Sequence, residues 1–200
     1  MKKTILATFL LAFAVSGMGQ EIVKSQDGRN ILLKPDGTWE LAKAPSNATA
    51  TAGVPATAND KLVFGRNGSE LNFNNAKWRK QSETPSRSVM VHKDGDGYAA
   101  IISERISIPL PLLKQVALEN AKAAAPDAVL VSEEMRVVNG INIMQLQMTG
   151  TLKGLPFVYL GYYHSGSKGS TQVITYTVNN LFAEFKPDFL ELLNGLVIKE

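Results

Sequence analysis

Two histidines are the side chains in this sequence best suited to acid–base or metal chemistry. They are His92 and His164, and the chain has no cysteine that could act as a nucleophile or thiolate ligand. Near pH 7 a neutral imidazole can take up a proton and an imidazolium can release one, so each histidine is a candidate general base. His92 precedes Lys93-Asp94 at the predicted tip of a hairpin, which favours a solvated position. His164 ends an aromatic strand beside Ser165, which suggests a serine–histidine pair.

Neither a hydrolase motif nor a metal motif supports this chemistry. The sequence has no Gly-x-Ser-x-Gly turn, and no carboxylate lies near His164 in sequence to orient its ring. The tip Asp94-Gly95-Asp96-Gly97 resembles half a calcium loop, but each reading frame lacks the glycine or the glutamate that such a loop requires. We therefore predict a plain hairpin turn, no catalytic residue, no metal and no cofactor.

An aromatic cluster is the remaining group of side chains that could bind a ligand or partner. Consecutive residues of a strand face opposite sides of a sheet, so the adjacent tyrosines 162 and 163 point in opposite directions. Core packing accounts for such a cluster. The alternative is one wall of a groove for a peptide, a glycan or a small apolar ligand, with Ser165 also at the rim. The predicted ligand or partner surface comprises Trp39, Tyr162, Tyr163, His164, Lys168 and Tyr176, with Tyr159 in the same cluster. Arg79, Lys80 and Arg87, expected in the loop around and after Trp78, form a second, small docking surface or a solvated loop.

Composition and the N-terminus restrict the class of protein. With 200 residues, 44% apolar and 20% charged, the chain suits one globular domain with additional segments, and excludes collagen, disulfide scaffolds and multi-span membrane proteins. Lys2 and Lys3, the apolar run 5–15 and the small residues 16–19 follow the order of a secretory signal peptide. Cleavage after residue 19 removes two lysines and reduces the formal charge from +3 to +1. We therefore predict an exported protein, periplasmic or secreted, with no nucleic-acid partner and no membrane anchor after cleavage.

The segment that follows the predicted signal peptide divides into a small β element and a linker. Asp27-Gly28 and Asp36-Gly37 are turn signals, and they predict three short strands within residues 20–43. These residues resemble the Asp-Gly-Arg … Asp-Gly-Thr-Trp elements of exported bacterial proteins, which implies a docking or packing element anchored by Trp39. Residues 44–59 are uncharged up to Asn59 and rich in Ala, Thr and Pro. They predict a flexible linker.

The main domain is predicted over residues 60–200. Hairpin turns at Asn67-Gly68, Asn139-Gly140 and Lys153-Gly154 link strands that must pair antiparallel. Apolar residues at helical spacing predict one helix from Pro111 to the residue before Pro126, and a second that opens at Pro187. The strands are predicted at 62–64, 71–73, 88–93, 98–108, 129–138, 141–151, 155–164 and 170–178. The strand from residue 155 is apolar on both faces, so the sheet should be covered on both sides. The prediction is an α+β fold, with an antiparallel sheet of about six to seven strands flanked by helices.

The order of elements and several aromatic motifs resemble the PsbP-like group. The motifs are Trp78, Gly154-Leu155-Pro156-Phe157-Val158-Tyr159, Gly161-Tyr162-Tyr163, Ile174-Thr175-Tyr176-Thr177-Val178 and Phe189-Leu190-Glu191-Leu192-Leu193. The resemblance covers about residues 60–200 and implies an α-β-α sandwich. Members of that group act mainly by binding other proteins. The resemblance thus implies a non-catalytic binding or scaffolding module for a protein partner in the cell envelope. The alternative is a small-molecule carrier or hydrolase with its site at the His164 end of the sheet.

Overall fold

The structure, a computed structural model, describes residues 21–24, 30–33, 38–41 and 52–199. The chain divides into two compact units, Met1–Ser46 and Asn47–Glu200. In the first unit three short strands, Glu21–Lys24 (β1), Asn30–Leu33 (β2) and Trp39–Leu41 (β3), pair antiparallel in the order β1-β2-β3. These strands lie where the two Asp-Gly turns predict them. The predicted signal peptide, residues 1–19, lies outside the described residues.

The second unit contains the remaining strands and both described helices. In chain order they are Asp60–Val63 (β4), Glu70–Phe73 (β5), Trp78–Glu83 (β6), Arg87–His92 (β7), Tyr98–Glu104 (β8), Leu110–Ala124 (α1), Val129–Val138 (β9), Ile141–Leu152 (β10), Leu155–Gly166 (β11), Gly169–Val178 (β12), Phe182–Asn194 (α2) and Leu196–Val197 (β13). A short 3₁₀ turn, Asn179–Leu181, precedes α2. Within the described ranges, neither helix is long and apolar enough to cross a membrane.

A seven-stranded antiparallel sheet forms the centre of this unit, in the order β6-β7-β8-β12-β11-β10-β9. Helix α1 packs on one face of it, over β9, β10 and β11. Helix α2 and a small sheet, β13-β5-β4, pack on the other face. The predicted antiparallel sheet with cover on both faces is therefore confirmed.

Each face of the sheet has its own apolar core. Leu113, Ala117 and Ala121 lie on the buried side of α1 and contact Leu146 and Met148. On the opposite face the buried residues of α2 are Phe185, Phe189, Leu192 and Leu193. The three-and-four spacing of both sets explains why these segments are helical, since a helix must turn one stripe of side chains toward the sheet. Full burial of one leucine or phenylalanine contributes about 1.5–3 kcal/mol.

Two tight turns fix the register of the long strands. Asn139 and Gly140 have φ angles of 50° and 83°, and Lys153 and Gly154 have 50° and 82°. Both central residues of each turn are therefore left-handed, as the predicted two-residue hairpins require. The Asn139 side-chain amide also donates to the carbonyls of Asn194 and Leu196, at 2.9 and 2.7 Å. This turn thus fastens the end of α2 to the main sheet.

The second half of the predicted linker is attached to the main unit. Ala52 pairs with Val138 in a parallel bridge, and its N–H donates to the Val137 carbonyl at 3.0 Å. The Asn59 N–H donates to the Phe73 carbonyl at 3.1 Å. Residues 52–59 therefore belong to the folded unit rather than to a flexible linker, because backbone groups offset the ordering entropy that their side chains do not. Residues 44–51 lie outside the described residues.

Three element boundaries differ from the prediction. Helix α2 begins at Phe182, and Pro187 lies inside it, because burial of Phe185 stabilises a turn ahead of the proline. Trp78–Glu83 was expected to be a loop and forms the edge strand β6. The strand predicted over 98–108 ends at Glu104 as β8, and Ile106 beyond it is 67% exposed.

Candidate functional site

Most of the aromatic residues predicted to form a surface lie in the core. Tyr162 and Tyr163 are fully buried on opposite faces of β11. The Tyr162 hydroxyl donates to Asn194 Oδ1 at 2.8 Å, and burial under α1 raises the pKa of Tyr163 far above its usual range. His164 is 7% exposed. The prediction that these three residues contribute to a surface is wrong, because β11 is an inner strand of a sheet covered on both sides.

The serine–histidine pair suggested by the sequence does not form. His164 and Ser165 are consecutive in β11 and therefore face opposite sides of the sheet. The His164 Nδ1 atom lies 3.4 Å from the Asn142 carbonyl oxygen. Ser165 Oγ accepts a hydrogen bond from the Ile108 N–H at 2.8 Å, which secures the connection between β8 and α1. Both residues therefore have structural roles at this end of the sheet.

His92 is also buried, contrary to the predicted solvated position. It is 5% exposed, and its ring packs edge-on against Trp78 and Phe185 with centroid distances of 5.1 Å in both cases. Its Nε2 atom lies 3.3 Å from Asp188 Oδ2. The sequence placed His92 at a hairpin tip, but α2 covers that tip from the other end of the chain. The ring is thus a packing residue that no substrate can reach.

Lys168, Tyr176 and Trp39 are the other residues predicted to form a ligand or partner surface. Lys168 is exposed in the turn between β11 and β12. Tyr176 is half-buried and stacks on Tyr98, with ring centroids 5.4 Å apart. The side chain of Trp39 lies outside the described part of the structure. In the described ranges, no three imidazole or carboxylate groups come together in a way that could hold a metal ion.

A cleft of about 580 Å³, here called the basic cleft, opens between β4 and β6. Its walls carry four positively charged residues and one carboxylate, and its floor is apolar. The lining residues are Asp60, Lys61, Leu62, Phe73, Asn75, Trp78, Arg79, Lys80, Met90 and Lys93. Strand β4 is an edge of the small sheet and β6 an edge of the large one, so the cleft runs between two edges that no other described strand pairs with.

Two of the cations in the basic cleft are unpaired. Lys80 lies 2.6 Å from Glu83, and Lys61 lies 3.6 Å from Glu70. Arg79 and Lys93 form no ion pair or side-chain hydrogen bond with the described residues. The basic cleft therefore retains positive charge that the described residues do not neutralise.

Lys77, next to the basic cleft, is in contrast fully engaged. Its Nζ lies 2.7 Å from Asp188 Oδ1 and 2.6 Å from Glu191 Oε2 on α2. These hydrogen bonds raise the pKa of Lys77. Burial acts to raise the pKa of Glu191, but hydrogen bonds from Lys77 and Thr57 outweigh it and hold this pKa below the ordinary value of 4.5. Lys77 thus fastens α2 to the start of β6.

Replacing Lys77 by methionine should lower the free energy of unfolding near neutral pH, and it should lower it by a smaller amount in acid. A carboxylate with a lowered folded-state pKa stabilises the fold above its unfolded pKa, and this contribution is lost as the pH falls through the folded pKa. We expect a loss of about 1 kcal/mol at pH 7 for this partly exposed pair. Urea denaturation at pH 7 and pH 3 measures it. An equal loss at both pH values would contradict the assigned ion pair.

A second cleft, here called the apolar cleft, lies between α1 and the sheet. Its volume is about 250 Å³, and its lining is mostly aliphatic and aromatic. The lining residues are Arg87, Ala100, Ile102, Ala117, Asn120, Ala121, Ala124, Met148, Leu152, Tyr159, Gln172, Ile174 and Tyr176. Of the predicted site residues, Tyr176 lines this cleft, together with Tyr159 from the same aromatic cluster. The feature of the sequence that indicates this cleft is the set of alanines at helical spacing in α1.

Comparison with known proteins identifies the fold. No family model matches the sequence, and no curated protein is significantly similar to it. Among solved structures, cyanobacterial PsbP (CyanoP) from Synechocystis matches 75% of this chain and 98% of its own, with a TM-score of 0.52 and 13% identity. The described domain has a PsbP-like fold. PA94 of Pseudomonas aeruginosa, of unknown function, matches 71% of this chain and 99% of its own (TM-score 0.47, 13% identity). LpqN of Mycobacterium tuberculosis, involved in cell envelope biogenesis, matches 76% of this chain and 90% of its own (TM-score 0.45, 12% identity).

Proposed function

We propose that this protein is an exported, non-catalytic binding module, and that its partner is a protein of the cell envelope that presents an extended acidic segment to the basic cleft. The observation that carries the proposal is a pair of cations, Arg79 and Lys93, that no described residue pairs, in a cleft between two edge strands. The signal-peptide pattern of residues 1–19 supports export.

The shape of the basic cleft favours an extended segment. An edge strand offers unpaired backbone N–H and C=O groups, and an added strand can pair with them. Five of the six residues of β6 are exposed, from Arg79 to Glu83. An incoming strand with acidic side chains would therefore meet both backbone groups and positive charge.

The charge of this edge acts against pairing with a second copy of the chain. Arg79 and Lys80 are consecutive in the exposed part of β6. Lysines on an edge strand disfavour its pairing with another edge of the same charge. Two basic edges would also repel each other, whereas an acidic strand is complementary. The occupant we propose is therefore a different protein.

Reversing the two unpaired charges should abolish most of the binding. The mature chain, tagged at its C-terminus, is crosslinked in its own cell envelope, and the captured proteins are identified by mass spectrometry. We expect Arg79→Glu with Lys93→Glu to reduce recovery of the main partner by about tenfold or more, because charge complementarity controls both encounter and register. Lys122→Glu with Lys153→Glu carries the same change of charge away from the cleft and should retain the partner.

Three results would contradict the proposal. The first is undiminished capture by the Arg79/Lys93 variant. The second is loss of capture with Lys168→Glu instead, which would put the partner at the turn between β11 and β12. The third is a mature protein recovered without any stoichiometric companion.

A further inference from the structure

The apolar cleft has a polar end and an apolar body. Arg87 on β7 and Gln172 on β12 both pair with Ile102 on β8, so the three side chains form one row on the face that carries α1. Ile174 and Tyr176 follow Gln172 at alternate positions of β12 and lie on the same face. The cleft thus runs from a row with a cation and an amide toward aliphatic and aromatic side chains.

Gln172 and Tyr159 both line the cleft and each has a buried polar atom without a hydrogen-bond partner among the described residues, and Gln172 is the one that lies in the row with Arg87. The residue is 5% exposed and lines the cleft, yet its Oε1 atom has no hydrogen-bond partner among the described residues. Most buried acceptors in folded proteins are hydrogen-bonded, whether to protein groups, to ordered water or to a bound ligand. Its Oε1 needs an N–H or O–H donor.

Arg87 supplies the complementary charge at the entrance. It is exposed and forms no ion pair with a described residue. Burial raises the pKa of Tyr176, and the positive charge of Arg87 opposes that shift, which indicates that the guanidinium lies near the phenol. An anionic group at the mouth of the cleft would therefore meet a cation that no described residue pairs, in the same row as a buried acceptor.

We propose that the apolar cleft binds a small amphipathic anion of the N-acyl amino acid type. Its carboxylate pairs with Arg87, its amide N–H donates to Gln172 Oε1, and its acyl chain lies against Ile174 and Ala121. The volume of about 250 Å³ is slightly below the roughly 300–1,000 Å³ of sites for drug-sized ligands, so it suits a medium-length chain. This site is separate from the basic cleft and does not depend on the proposed protein partner.

Titration calorimetry with three related probes tests each contact. N-octanoylglycine carries the chain, the N–H and the carboxylate, its methyl ester lacks the charge, and octanoate lacks the N–H. We expect saturable binding in which the acid is favoured over the ester by about tenfold, the range of one charge-assisted hydrogen bond. Arg87→Gln should abolish that preference. Gln172→Leu should abolish the preference for N-octanoylglycine over octanoate.

A blocking variant distinguishes the cleft from nonspecific adsorption. Ala124 is exposed at the mouth of the cleft, so Ala124→Trp should fill it without disturbing the core and weaken binding by about tenfold or more. Ala123→Trp is the matched control, since Ala123 is exposed on the same helix and does not line the cleft. Unchanged melting by circular dichroism establishes that each variant is folded. Non-saturable binding, or equal binding by the two tryptophan variants, would overturn the proposal.

Discussion

Replacing Trp78 by alanine is expected to lower the free energy of unfolding by about 3–5 kcal/mol, the range for losing a fully buried aromatic side chain. Trp78 is 2% exposed at the start of β6. Its ring contacts His92 edge-on and lies 6.1 Å from the ring of Phe189, so it joins the edge of the main sheet to α2. Deleting the indole leaves a cavity between elements that are far apart in sequence.

Urea denaturation followed by circular dichroism measures the effect of Trp78→Ala. Trp78→Phe keeps part of the packing and should cost less. Ile106→Ala is the control, because Ile106 is 67% exposed and its removal should change stability by less than about 0.5 kcal/mol. A loss below 1 kcal/mol for Trp78→Ala would show that β6 and α2 do not share this core.

The second large effect is expected at Gly169, the first residue of β12, directly after the turn from β11. Its φ is +117°, and a Cβ atom there would lie 2.0 Å from the Glu104 carbonyl oxygen and 2.8 Å from the Arg105 backbone. Backbone strain and collision add, so we expect Gly169→Ala to cost about 3 kcal/mol or more. The collision involves backbone on both sides, which cannot move aside as a flexible side chain would.

Gly154→Ala is a matched control for Gly169→Ala. Gly154 lies in a hairpin turn and, like Gly169, has a positive φ, +82°. A Cβ atom at Gly154 would meet nothing within 4 Å. Only the conformational cost then applies, about 1 kcal/mol. Thermal melting of the two variants separates collision from conformation. Equal melting temperatures would mean that the turn at Gly169 does not approach β8 as described.

Much of the fold is predictable from the sequence because its turns have strong local signals. The turns at Asn139-Gly140 and Lys153-Gly154 have positive φ at both positions, as two-residue hairpin turns require. Such turns join neighbouring strands that pair antiparallel. The first helix is likewise predictable, since Pro111 and the periodic alanines determine where it begins and which side is buried.

The errors arise where tertiary contacts override local sequence. Strand β6 has only polar residues after Trp78, because an exposed edge strand has nothing to bury, so its sequence resembles a loop. Burial of His92 depends on Phe185 and Asp188 from α2, which no local pattern around His92 can indicate.

The candidate sites were less predictable than the fold. The sequence indicates an aromatic cluster, but only register decides that Tyr176 lines a cleft while Tyr162 reaches Asn194 in the core. The sequence predicts Arg79 in a basic loop. The sheet edge on which it lies results from the pairing of β6 with β7, which the residues after Trp78 do not indicate. The charged residues are evident from the sequence, whereas the cleft that they line is formed by the packing of elements that are distant in sequence.

Site-specific photocrosslinking in the cell envelope tests the central claim, binding of an acidic protein segment in the basic cleft, most directly. A photoreactive residue is placed at position 61 or 93, on the two sides of the cleft, and at position 122 or 168 as distant controls. We expect one protein to crosslink from both 61 and 93, through an acidic stretch of its sequence, and not from the controls. Crosslinks that arise only from 168, or equally from all four positions, would contradict binding in the basic cleft.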